Sequence, residues 1–439
     1  MIPSTAAPTR DPVGADGHVA AVVQRRTLRL LVATQIIGGI GITTGLSVGA
    51  LLAARLAGTG ISGLAQSAGV VGAALLAVPV TRLMNVRGRR PGLALAYAVG
   101  AAGAALVVAA AVTRWVPLLF LGMLLFGGGT AASLQARYAA VDLAEPRRRA
   151  RQLSLVVWAT TIGAVTAPHL AAPADAAVHD VGLPPLSGPF VFSAVAFLLA
   201  GGVLLVFLRP DPLLTARHAA AGAGPAPVAA APALRTALRA VAARPAARLG
   251  IAAVAVGHLV MVAVMAMTPV HLGESHSDAD VLRVVGIVLS LHIAGMYALS
   301  PLVGWLTDRL GRRPVILGAV ALLLAASGVA GTAGHDVTRL SLGLVLLGLG
   351  WSGTMVAGST LLSESVPAEI RPTVQGLSDL VMGLAGAAAG AVSGFIVLLV
   401  GYPVLNLLAA IATVPLVALA LRPLPTASRR SAAETGTEG

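Results

Sequence analysis

Two couples of soft donors stand four residues apart: Met261-Val262-Ala263-Val264-Met265 and His292-Ile293-Ala294-Gly295-Met296. In a helix, that spacing stacks both members of a couple on one face, a turn apart. Thioether sulfur and imidazole nitrogen suit monovalent copper, whereas carboxylate and carbonyl oxygens suit hard cations. Of nine Met and nine His, eight fall in one short stretch: His258, Met261, Met265, Met267, His271, His276, His292 and Met296. At about 100° per residue, His258, Met261 and Met265 share one helix stripe, while Met267 and His271 project from roughly the opposite side. The bland reading is that Met fills gaps in apolar packing; a His inside an apolar span is costlier and points to function.

Something must hold these residues in register. With 57% hydrophobic and 11% charged residues and a mean hydropathy of +0.88, the chain reads as an all-α, multi-pass membrane protein. Abundant Gly (51) and few aromatics (3%) suit closely packed helices rather than a barrel with aromatic girdles. Cys is absent, which excludes disulfides and thiolate metal sites. The start of the chain lacks the apolar stretch of a secretory signal. No nucleotide loop, Ser/His/Asp arrangement or H-E-x-x-H occurs, so no catalytic residue and no enzyme activity is expected.

Apolar segments predict twelve spans: 28–53, 60–83, 91–113, 116–138, 153–172, 189–208, 248–270, 283–306, 314–333, 339–361, 373–399 and 402–421. All 30 basic residues are Arg and give a net charge of +13, but most fall in loops on alternate sides of the spans. That asymmetry signals topology rather than nucleic-acid binding and places both termini in the cytoplasm. The expected divisions are a tail 1–27, a six-helix half 28–208, an Ala/Pro-rich linker 209–247, a second half 248–421 and a tail 422–439.

An internal repeat supports two halves. Gly88-Arg89-Arg90-Pro91 recurs as Gly311-Arg312-Arg313-Pro314, and Arg148 and Gln152 recur as Arg371 and Gln375, all at an offset of 223. Around the second copy, Gly304-Trp305-Leu306-Thr307-Asp308-Arg309-Leu310-Gly311-Arg312-Arg313 resembles the G-x-L-x-D-R-x-G-R-R signature of the major facilitator superfamily. That resemblance implies two six-helix halves with substrate bound near midplane between them. In the first copy, Thr81 replaces the opening Gly and Asn85 stands where Asp308 stands, so a latch there would lose its carboxylate.

Counting about 1.5 Å per residue from the outer ends puts Met261 and His292 at matched depth, and as antiparallel neighbours the seventh and eighth spans bring them level near midplane. Met265 then lies a turn outward and Met296 a turn inward, with His271 and His276 at the outer mouth. The repeat offers a control: Gly38, Ile42, Gly69 and Ala73 stand where Met261, Met265, His292 and Met296 would be copied. The two couples resemble those of the CcoA-like (CalT) copper importers, a branch of the superfamily. The resemblance implies Met261, Met265, His292 and Met296 as copper ligands, with copper as transported substrate rather than cofactor and His258 and His271 as auxiliary donors. Some members carry cysteines, which this chain lacks.

Other polar residues fall within the spans. Gln35, Gln135 and Arg137 are candidates for the cavity wall, while Arg137 is open to pairing with a carboxylate such as Asp142 or to snorkelling to the inner surface. Asp379 is a candidate for a coupling proton or for pairing with a loop arginine. The expectation is a copper importer of the bacterial cell membrane, monomeric among lipids; the alternative is a proton-coupled exporter of drugs or small metabolites.

Overall fold

The computed structural model describes residues 12–57, 59–179, 182–221, 234–273 and 278–422. His276, Asp180, most of the Ala/Pro-rich stretch of the linker and the ends of both tails lie outside them. The described residues form helices α1 (Pro12–Ala57), α2 (Thr59–Arg87), α3 (Arg89–Thr113), α4 (Val116–Ala139), α5 (Arg149–His179) and α6 (Gly188–Phe207), then α7 (Pro212–Ala221) and α8 (Leu234–Ala242). The second half contains α9 (Pro245–Gly273), α10 (Asp278–Tyr297), α11 (Ser300–Leu310), α12 (Arg312–Gly331), α13 (Val337–Ser365), α14 (Arg371–Ile411) and α15 (Val414–Leu421). No strand occurs among the described residues.

Among the described residues, ten segments are long and apolar enough to cross a bilayer. One of them runs from Arg371 to Leu421 and folds back at Gly401 (φ 84°), which makes it two crossings. With the less apolar α5, the fold has the twelve crossings expected. The eighth crossing is broken into α10 and α11 ahead of Pro301, which occupies the first turn of α11 where its missing N–H costs nothing. Lipid-facing surface is apolar: Phe395, Leu398 and Leu399 are 69%, 81% and 79% exposed.

Each half has its own core, one around Tyr97, Phe126, Phe190 and Phe197, the other around Leu323, Leu344, Leu347 and Met355. The halves meet along α2 against α14 and along α5 against α11. The repeat is visible in the backbone as well as in the letters. Gly88 (φ 91°, ψ 177°) and Gly311 (φ 96°, ψ 162°) make the same tight turn between α2 and α3 and between α11 and α12, in a region open to Gly and strained for other residues.

One expectation about neighbours changes. α10 packs chiefly along α13 rather than along α9. The cause is Gly348: a Cβ there would fall 2.5 Å from the His292 carbonyl oxygen and 2.8 Å from the Met296 nitrogen, so its absence lets two backbones touch.

Candidate functional site

A cavity of about 260 Å³ lies between the halves. Gln35 of α1, Gly69 and Ala73 of α2, and Phe126, Thr130 and Arg137 of α4 line it from the first half. His258 and Met261 of α9, Met296 and Tyr297 of α10, Trp351 and Met355 of α13, and Asp379 and Met382 of α14 line it from the second. One wall is aromatic. The Trp351 indole N–H donates to His258 Nδ1 at 3.1 Å, and Tyr297 meets Trp351 edge-on at 5.5 Å between ring centroids.

Of the four residues singled out as ligands, Met261 and Met296 line this cavity, while Met265 and His292 are not among its lining residues. His292 is fully buried; its Nδ1 lies 2.8 Å from the Leu344 carbonyl of α13, and its Nε2 has no hydrogen-bond partner. The matched-depth argument assumed that α9 and α10 are close neighbours, which the packing of α10 on α13 replaces. His258 reaches the cavity. His271 does not stand at an open mouth: it is buried, stacks on Tyr402 at 4.4 Å and on His335 at 4.9 Å, and lies 2.8 Å from the Gly334 carbonyl through Nε2. Among the described residues no group of three His, Cys, Asp or Glu is placed to hold a metal. Met355 and Met382 also line the cavity and carry no sequence signal as site residues, because neither belongs to a couple of soft donors at helical spacing.

Charge enters the cavity as a single cross-half pair. Arg137 Nη2 donates to Asp379 Oδ1 and, at 3.1 Å, to the Tyr138 hydroxyl; the two charged side chains are 2% and 1% exposed. Arg137 therefore pairs with Asp379 and not with Asp142. The latter is held by Arg89, whose Nε and Nη2 reach its two oxygens at 2.8 and 3.2 Å. Gln135 is buried behind the wall and donates to Asp379 Oδ2 at 2.7 Å, and Arg89 donates across the halves to Gln375 at 2.6 Å. Arg137 Nε and Gln35 Oε1 have no hydrogen-bond partner.

Further cross-half contacts cluster at the end of the molecule that carries the two arginine turns. Asp308 accepts from the backbone N–H groups of Ala150 and Arg151 at 3.1 and 2.9 Å, the first turn of α5. A carboxylate there satisfies orphan donors and complements the helix dipole. Arg312 clasps Glu364 through two bonds of 3.0 and 2.8 Å and reaches the Pro146 carbonyl at 2.7 Å. Arg309 lies over the Trp305 ring at 5.1 Å, and the Arg90 backbone N–H donates to Asp211 at 2.8 Å. Gly304 is needed for close approach, since a Cβ would fall 2.1 Å from Ser154 Oγ and 2.7 Å from the Ala150 oxygen. On the other seam the order is reversed: Thr81 is the larger partner and Gly376 the small one, with a Cβ at Gly376 falling 2.3 Å from Thr81 Oγ1. The missing glycine of the first copy is supplied by the facing helix.

The model of the major facilitator superfamily matches residues 30–283 and 279–438. The chain belongs to that superfamily. It is 36% identical over 417 residues to the uncharacterized MFS-type transporter YddS of Bacillus subtilis, covering 93% of this chain and 94% of that one. It is 28% identical over 413 residues to the riboflavin transporter RfnT of Brucella anthropi, covering 92% and 96%. A bacterial homologue of the iron transporter ferroportin, solved in an outward-facing state, superposes with a TM-score of 0.70 at 14% identity, covering 90% of this chain and 98% of that one. The last likeness is one of fold. As a multi-pass transporter of this superfamily, the chain has its central cavity where such proteins bind solutes.

Proposed function

We propose that this transporter carries a small, flat, largely apolar organic molecule with hydrogen-bonding edges. The observation that supports this most is the lining: Trp351, Tyr297 and Phe126 with four Met side chains, interrupted by Arg137, Asp379, Gln35 and Thr130. Polarisable sulfur and ring faces suit a flat ring, and a few placed polar groups fix its orientation. About 260 Å³ is near the lower end of ligand cavities, which favours one or two fused rings. The relative named for riboflavin supports the chemical class, a flat fused heteroaromatic compound, though riboflavin with three rings and a polyol tail is larger than one or two rings.

The arginine excess supports a turn-bearing face on the cytoplasmic side of a cell membrane. The contacts gathered there close the inner side, so the described state faces outward. Asp379 is the carboxylate that lines the cavity, and in this reading it takes up a coupling proton when the halves separate and Arg137 leaves it. Uptake or efflux of a fluorescent heteroaromatic solute in proteoliposomes, driven by an imposed pH gradient, tests the reading. The expected result is flux that collapses with a protonophore and is absent in Asp379→Asn; failure of both a cationic and a neutral set of such solutes to move contradicts it.

A second reading, copper import, is supported by Met261, Met296, Met355 and Met382 lining one cavity. It requires copper uptake in expressing cells to fall to background in Met261→Ala/Met296→Ala. Uptake unchanged by that pair removes it.

A further inference from the structure

We propose that Arg217, in the linker between the halves, is a positioning residue that closes the inner gate in place of the carboxylate missing from the first signature copy. This goes beyond the transport reading and does not depend on what the cavity carries.

The offset of 223 makes the two seams directly comparable. Asp308 corresponds to Asn85, Ala150 to Thr373 and Arg151 to Val374. On one seam the Asp308 carboxylate binds two backbone N–H groups of α5. On the other, Asn85 donates its amide to the Thr373 hydroxyl of α14. A neutral amide there forgoes the charge-assisted bonds that Asp308 makes.

The linker contributes a bridge of the opposite polarity, a donor to oxygens on both halves. Asp211 docks on the first half, accepting from the Arg90 backbone N–H at 2.8 Å, and its other oxygen accepts from Leu213 and Leu214 at 3.0 and 3.2 Å, capping the start of α7. Gly88 makes the docking possible, because a Cβ would fall 2.4 Å from Asp211 Oδ2. So anchored, α7 aims Arg217 into the seam. Its Nη1 donates to the Asn85 carbonyl at 2.6 Å, and its Nη2 to Asn85 Oδ1 at 3.0 Å. The same Nη2 reaches the Ala368 and Glu369 carbonyls, just ahead of α14, at 3.3 and 3.0 Å. One guanidinium therefore bonds both halves at once, and the planar fork is what allows it. The linker is then part of the gate: movement of α7 away from Asp211's anchorage releases the seam.

The absence of Cys makes the test direct. Ser300→Cys in the full chain reports inner opening, because Ser300 is fully buried and donates to the Ser154 carbonyl of the opposite half at 3.0 Å. Its maleimide labelling rate is expected to rise roughly tenfold in Arg217→Ala, the loss of charged hydrogen bonds from one state of the gate. Adding Asn85→Asp to Arg217→Ala is expected to return the rate towards its starting value, since the new carboxylate faces α14 as Asp308 faces α5. An unchanged rate in Arg217→Ala, or no recovery with Asn85→Asp, overturns the proposal. So does an equal rise at Ala104→Cys, in the core of the first half, which marks general loosening.

Discussion

Replacement of Asp379 by Asn is expected to stop transport and to lower stability by about 3–5 kcal/mol, because it leaves the Arg137 guanidinium buried without its counter-charge. Both side chains are almost fully enclosed, and their bond is the charged link between the halves at the cavity. The paired change Arg137→Met/Asp379→Leu removes both charges and is expected to recover most of the lost stability while leaving transport dead. Thermal unfolding in detergent measures the first effect and proteoliposome flux the second. If the double variant is no more stable than Asp379→Asn, the pair is not the unit that holds this site. If Asp379→Asn transports normally, Asp379 carries no coupling proton.

The second large effect is steric. Gly304→Val is expected to abolish transport by holding the inner side open, because its side chain meets Ser154 Oγ and the Ala150 carbonyl where α11 crosses α5. Overpacking of this kind costs about 1–3 kcal/mol, applied here to one state of the cycle only. That is a shift of roughly fivefold to over a hundredfold towards the inward-facing state. Ser154→Gly in the Gly304→Ala background removes the nearest obstacle and is expected to restore part of the flux. Labelling at Ser300→Cys reads the same shift without a substrate, and an unchanged rate in Gly304→Val speaks against a closure that depends on this crossing.

The fold was legible because bilayer spans and an exact repeat leave strong marks. The all-helical membrane fold and the two matching turns follow from apolar run length and the offset between Gly88 and Gly311. The candidate site was only half legible. Met261 and Met296 line the cavity, but spacing along one helix says which residues share its face, not which neighbour that face meets. Gly348 decides that for α10, and a single small residue on another helix gives no warning. The same blindness hid Trp351, Met355 and Met382, which come together only through the packing of α9, α10, α13 and α14. Long-range charge pairing is equally invisible in the sequence: Asp142 is five residues from Arg137, yet the partner is Asp379, and Arg89 takes Asp142. The two departures in the first signature copy, Thr81 and Asn85, read as decay. The structure answers each with a compensating residue elsewhere, Gly376 and Arg217, neither of which is adjacent in the chain.

The most direct test of the central claim is binding to the purified protein, followed by thermal stabilisation across a panel of one- and two-ring heteroaromatic solutes and, separately, monovalent copper. The account predicts saturable stabilisation by a flat heteroaromatic solute, weakened at least about tenfold by Trp351→Ala, the cost of losing one aromatic stacking face, and insensitive to Met265→Ala. Stabilisation by copper alone, lost in His292→Ala and Met265→Ala, would contradict it.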